Sequence, residues 1–176
     1  MGIKSAFYKI CILGDFGVGK STLLHHYLEG RFISNIQSTI GSNFFVKHLK
    51  IPKVKNLVTL QIWDLAGQDH YKWVRQAFYK GAKGIVVVFD LSRKETFKHL
   101  DSWIKEVENV IGVVPRILVG NKLDLINPGE RVIPKQECLT FKQKIKASSY
   151  EETSAKLGTG VEQIFYILAL EMNKNY

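Results

Sequence analysis

The run Gly14-Asp15-Phe16-Gly17-Val18-Gly19-Lys20-Ser21 constrains this chain more than any other feature. It has the form G-x-x-x-x-G-K-[ST], and it lies between the apolar residues 7–13 and a helical pattern over 19–28. Glycines at these positions let backbone N–H groups curl around phosphate oxygens, and the start of a helix adds partial positive charge. Lys20 is expected to reach the β- and γ-phosphates of a nucleotide, with the Ser21 hydroxyl placed to ligate Mg²⁺. A strand that turns through such a loop into a helix calls for an α/β fold.

The rest of the pattern agrees. Residues 85–89 and 117–119 are apolar and β-branched like 7–13, and each run ends near a Gly or Asp, as parallel strands covered on both faces do. Helical spacing recurs at 94–110, 135–145 and 160–172, where Val161, Ile164, Phe165, Leu168 and Met172 share one face. Residues 43–51 and 57–64 flank Pro52-Lys53-Val54-Lys55-Asn56, which predicts two antiparallel strands joined by a basic loop. With no repeat or linker in its 176 residues, the chain is expected to form one domain, 1–176.

Composition removes several classes. The longest wholly apolar run, 164–170, is seven residues, against about 20 for a membrane-spanning helix. The N-terminus has no signal-peptide pattern, so a cytoplasmic protein is expected, with any membrane association peripheral. Cys11 and Cys138 read as small buried apolar side chains in a reducing compartment. The net charge is +9, from 25 Lys and Arg against 16 Asp and Glu, but it is dispersed. The clusters Lys47, Lys50, Lys53, Lys55 and Lys142, Lys144, Lys146 lack interleaved aromatics, so they read as solvated faces and no nucleic-acid partner is expected.

Two further motifs follow strands. Asp64-Leu65-Ala66-Gly67-Gln68 places a carboxylate at a strand end, where it can hold Mg²⁺. Gly67 can present its N–H to a γ-phosphate, and Gln68, both donor and acceptor, suits the orientation of an attacking water. In Asn121-Lys122-Leu123-Asp124, a carboxylate at Asp124 would accept from the N1–H and N2–H₂ edge of guanine, which adenine does not supply.

With these motifs in order, the chain resembles the Ras superfamily of small GTP-binding proteins from about Ser5 to about Met172, most closely the Rab branch. The Rab likeness rests on Ile40-Gly41-Ser42-Asn43-Phe44, Thr59-Leu60-Gln61-Ile62-Trp63-Asp64 and Tyr79-Lys80-Gly81-Ala82. The resemblance implies a three-layer P-loop NTPase sandwich: a six-stranded, mostly parallel sheet with one antiparallel edge strand and about five helices. It implies a GTP hydrolase, slow in isolation, that takes GTP or GDP with Mg²⁺. The phosphates would be lined by Gly14, Asp15, Phe16, Gly17, Val18, Gly19, Lys20, Ser21 and Thr22. Mg²⁺ would be held by Ser21, Thr39 and Asp64, and catalysis carried by Gln68, Lys20, Thr39 and Gly67. Guanine would meet Phe32, Asn121, Lys122 and Asp124 and the loop of Ser154, Ala155 and Lys156, with the Ala155 N–H facing the base oxygen.

Switch I would then span about 35–44 and switch II about 66–78. Exchange factors, activating proteins and effectors are the implied partners of a monomer working in membrane trafficking or related signalling. Phe44, Trp63 and Phe78 are either an effector-facing aromatic triad or ordinary strand and core aromatics. Phe16 stands where the family has a small residue, near the γ-phosphate and the path of an incoming arginine. The residues given end Met172-Asn173-Lys174-Asn175-Tyr176, without the terminal cysteine of the family's prenyl anchor. A rival reading is a GTP-bound interaction module with little or no hydrolysis, locked by Phe16. Another is a P-loop phosphotransferase, which would need an acceptor pocket and a basic lid.

Overall fold

Alternation along the first strand decides which side chains enter which half of the core. The structure is a computed structural model that describes residues 5–51 and 57–174. In β1 (Ser5–Leu13), Tyr8, Ile10 and Ile12 turn to one face and Cys11 and Leu13 to the other, as period-two geometry requires. The first face packs on α1 (Lys20–Glu29) and on α6 (Val161–Asn173), whose predicted stripe of Val161, Ile164, Phe165, Leu168 and Met172 is wholly buried. Burying such a side chain contributes about 1.5–3 kcal/mol. The opposite face packs on α2 (Lys72–Tyr79), α4 (Leu100–Ile111) and α5 (Lys135–Lys144).

The other strands are β2 (Ser42–Lys50), β3 (Leu57–Leu65), β4 (Gly84–Asp90), β5 (Arg116–Asn121) and β6 (Ser149–Glu152), in the order β2-β3-β1-β4-β5-β6. Every residue of β4 is buried, as expected of a strand covered on both faces. Only β2, at one edge, runs antiparallel, with Phe44 opposite Trp63. The expected architecture is therefore present. The loop residues Lys53 and Lys55, together with Tyr176, lie outside the described residues.

Three elements differ from the sequence reading. The helix expected at 94–110 is two, α3 (Lys94–Lys98) and α4, parted at His99, whose imidazole is drawn onto Asp15 of the P-loop. Switch II, given no secondary structure in advance, holds a 3-10 turn (Asp69–Tyr71) and α2. The sixth strand, Ser-Tyr-Glu-Glu, has no apolar alternation because all four residues are half-buried at the sheet edge. Cys11 and Cys138 are buried and free, and burial pushes the Cys11 thiol up to about 12.

Candidate functional site

The P-loop runs from the end of β1 to the first turn of α1, and its shape depends on small residues. Gly19 has φ +93, and a Cβ there would lie 2.5 Å from Asn121 Nδ2. Inside the loop, Lys20 Nζ donates to the carbonyls of Gly14 at 2.8 Å and Asp15 at 2.9 Å. These bonds hold the ammonium in place at a cavity of about 160 Å³, which Lys20 lines together with Gly17, Ser21, Thr22, Thr39 and Gly67 among others. Burial pushes Lys20 down to about 8, against the opposing pull of Asp64 and Asp15.

Phe16 also lines this cavity and is 52% exposed, so its ring stands at the mouth. The carbonyl of Phe16 accepts from Arg93 Nη2 at 3.1 Å. The Asp15 side chain has partners of its own. Its carboxylate turns away from the phosphate cavity to His99 Nδ1 at 2.6 Å and Trp103 Nε1 at 2.7 Å, which leaves its backbone for a phosphate.

Three oxygen donors converge beside Lys20. Asp64 Oδ2, at the end of β3, accepts from the Ser21 hydroxyl, and Thr39 Oγ1 lies 2.9 Å from Ser21 Oγ and 3.3 Å from Asp64 Oδ2. Asp64 Oδ1 is buried without a hydrogen-bond partner among the described residues. Burial raises the Asp64 pKa, while Ser21, Lys20, Thr39 and Asn43 oppose the shift. A hard dication would satisfy the orphaned oxygen, and an all-oxygen donor set is what Mg²⁺ prefers.

Gly67 sits against the P-loop so closely that side chains are excluded. A Cβ there would press inside van der Waals contact with Asp15 C and Phe16 N and stand 2.6 Å from Gly14 O. Backbone atoms on both sides cannot give way. The Gly67→Ala variant is therefore expected to keep GDP affinity within about threefold while slowing single-turnover GTP hydrolysis about 100-fold, the scale of an ångström's misplacement. Equal hydrolysis rates would show that switch II need not close on the P-loop.

The base-binding loops are built on β5 and β6. Asp124 Oδ1 accepts from Ser154 Oγ at 2.5 Å, which orients the carboxylate. Lys122 adopts φ +66 and pairs through Nζ with Asp90 Oδ2 at 2.8 Å, stretching its stem. Both ends of the Asn121 amide are held by protein: its Nδ2 donates to Val18 O at 2.9 Å while its Oδ1 accepts from Thr153 Oγ1 at 3.0 Å and Ala155 N at 3.2 Å. It thus staples the P-loop to the last loop, and the Ala155 N–H points to Asn121. His26, missed in the sequence, contacts the Ala155 carbonyl through Nδ1 at 2.8 Å. Lys156 and Phe32 are exposed, and Phe32 lies outside the lining of the phosphate cavity.

Comparison with known proteins now decides the lineage, since a model of the Ras family matches residues 9–174. The chain belongs to the Ras family. It is similar to the Ypt/Rab-type GTPase avaA of Emericella nidulans, 38% identical over 173 residues that cover 94% of this chain and 82% of the relative. The Ras-related protein Rab-7a of Dictyostelium discoideum is 37% identical over 171 residues, with the same coverage of 94% and 82%. RABG3f of Arabidopsis thaliana is 35% identical over 181 residues, covering 98% of this chain and 85% of its own. This Ras-family protein falls in the Rab branch. It is a guanine-nucleotide switch and a GTP hydrolase with regulators and effectors as partners, and the locked, non-hydrolysing reading is not favoured.

Proposed function

We propose that residues 1–176 form one guanine-nucleotide-binding domain that binds GTP with Mg²⁺, hydrolyses it slowly, and changes the order of two loops between states. The convergence of Ser21, Thr39 and Asp64 beside Lys20 carries this reading. An ammonium and a cluster of oxygen donors with one buried oxygen unsatisfied suit a triphosphate and its metal. Ser21, Thr39 and Asp64 would hold Mg²⁺, which when bound supplies charge neutralisation for the phosphate oxygens.

The chain's own residues supply the rest. Lys20 and the P-loop amides offset charge that develops on the transferred phosphoryl group, while Gln68 orients water towards it. Thr39 and the Gly67 N–H meet the γ-phosphate, so its loss releases both switch segments. Asp124 reads the guanine edge, with Phe32 and the Lys122 stem on the two faces of the base. Turnover in isolation is expected at roughly 10⁻⁴ to 10⁻³ per second, with an activating protein accelerating it.

Phe44 is half-exposed, and its ring lies 5.0 Å from that of Trp63, which lies 5.1 Å from Phe78. Trp63 and Phe78 pack partly buried against the core while Phe44 stands exposed, so of the three Phe44 is the one best placed to meet an effector. Rab-branch membership supports a role in membrane trafficking, by a monomer in the cytoplasm and peripheral on membranes, without nucleic acid as a partner. Among the described residues, no helix is long and apolar enough to cross a membrane.

Single-turnover hydrolysis with GTP, GDP and ATP affinities on the same preparation tests the proposal. Guanine-selective binding with slow phosphate release supports it; equal affinity for ATP, or no release above background, defeats it. Gln68→Leu is expected to slow release at least tenfold with GTP affinity intact. An unaltered rate would assign the water to another group.

A further inference from the structure

Two buried cations among the described residues, Arg75 and Arg116, are unaccounted for by nucleotide binding, and Arg75 is the one that touches switch II. Arg75, on α2, is 1% exposed in a segment whose neighbours Trp73 and Gln76 face solvent. Its Nε and Nη2 donate to Glu106 Oε1 at 2.9 Å and Oε2 at 3.0 Å, a paired geometry that fixes the guanidinium plane. Its Nη1 donates to two carbonyls, Ala66 O at 3.0 Å and Gln68 O at 2.7 Å, one on each side of Gly67.

Glu106 is held in turn by the Tyr79 hydroxyl at 2.7 Å. The guanidinium carbon lies 4.3 Å from the centroid of the Trp103 ring, and that indole donates to Asp15 of the P-loop. His99, Trp103 and Glu106 are spaced four and three apart, so they form one stripe along the start and body of α4. The P-loop and switch II are thereby tied to the same helix face. Burial opposes the charge on Arg75, but the bonds to Glu106 outweigh it and raise its pKa.

Peptide planarity turns these contacts into a statement about catalysis. The Ala66 carbonyl and the Gly67 N–H belong to one planar trans unit and point in opposite directions. Fixing the carbonyl fixes the direction of the N–H, and fixing the Gln68 carbonyl sets the exit of the chain from that residue. We propose that Arg75 is a positioning residue for GTP hydrolysis, setting the orientation of the Gly67 N–H and of Gln68 from an anchor on α4. A buried ion pair that served only to hold α2 on α4 would not need to spend both N–H groups of Nη1 on carbonyls that flank Gly67.

The inference rests on the proposed hydrolysis, and its test separates the two. Single-turnover rates and GDP affinities are compared for the unaltered protein, Arg75→Ala, Gln68→Leu and their combination. Because Arg75→Ala strands Glu106 in the core, the pair Arg75→Met with Glu106→Met is measured alongside, removing both charges at similar volume. The expected result for each folded variant is GDP affinity within threefold of the unaltered protein and hydrolysis at least tenfold slower. In the Gln68→Leu background, Arg75→Ala should cost less than it does alone, since the share of its effect that runs through Gln68 is already lost and only the share through the Gly67 N–H remains.

A rate within twofold of the unaltered protein in a folded Arg75 variant overturns the inference. So does a loss on top of Gln68→Leu as large as Arg75→Ala causes alone, which would show that Arg75 does not act through Gln68. If Gln68→Leu slows hydrolysis while both Arg75 variants do not, this inference alone fails. If the unaltered protein releases no phosphate, both readings fail together.

Discussion

Lys20→Ala should lower the affinity for both GTP and GDP by about three orders of magnitude. The buried ammonium lines the phosphate cavity, tethered to the carbonyls of Gly14 and Asp15, with no other described cation lining that cavity. Two unit charges at about 4 Å in surroundings of intermediate dielectric interact by about 4 kcal/mol, and each 1.4 kcal/mol is a factor of ten in affinity. The same change leaves two carbonyls without a donor, at about 1–3 kcal/mol, so some loss of stability is expected beside the loss of binding. Titration with a fluorescent GDP, with circular dichroism on the same sample, separates the two effects. Affinity retained within tenfold by a folded variant would mean that the loop amides alone carry the phosphates.

Legibility in the sequence followed distance along the chain. The P-loop, the Asp64–Gln68 segment and the Asn121–Asp124 segment are short, and their chemistry needs neighbouring residues at fixed spacing, so residue types alone indicate them. The buried stripe of α6 was legible for the same reason, because its period recurs within one element. Contacts made across the sheet left no such trace. Asp15 lies 84 and 88 residues from His99 and Trp103, and nothing near Gly14 indicates that its carboxylate leaves the phosphates.

Asn121 reads in sequence as part of the base-binding motif, and only the burial of both ends of its amide shows it as a staple between loops. Helix α2 escaped notice because its pattern is inverted: Trp73 is 79% exposed while Arg75 is inside. A cation on the inward face, four residues before the buried Tyr79, was the available signal, but it acquires meaning only with Glu106, 31 residues further on. The break at His99 likewise follows from a tertiary bond that outweighs an otherwise continuous helical period.

Asp124→Asn should move the base preference from guanine to xanthine. A carboxylate offers two acceptors, matching the two donors on the N1 and N2 edge of guanine, and Ser154 Oγ holds it in place at 2.5 Å through Oδ1. An Asn amide offers one acceptor and one donor. Its oxygen can still meet N1–H, but its NH₂ then faces the guanine NH₂, losing one charge-assisted bond and leaving donor against donor. A hydrogen bond to a charged group contributes about 1.5–3 kcal/mol, so GTP affinity should fall about 100-fold or more. Xanthine carries a carbonyl at the 2-position, which the new NH₂ satisfies, so affinity for its triphosphate should rise and the preference invert. The fold should tolerate the change, because the Ser154 hydroxyl can pair with either end of an amide. Competition of GTP, its xanthine counterpart and ATP against a fluorescent GDP reads all three affinities. An unchanged ratio of guanine to xanthine binding would remove Asp124 as the reader of the base and shift that role to the 154–156 loop, whose Ala155 N–H is already engaged by Asn121.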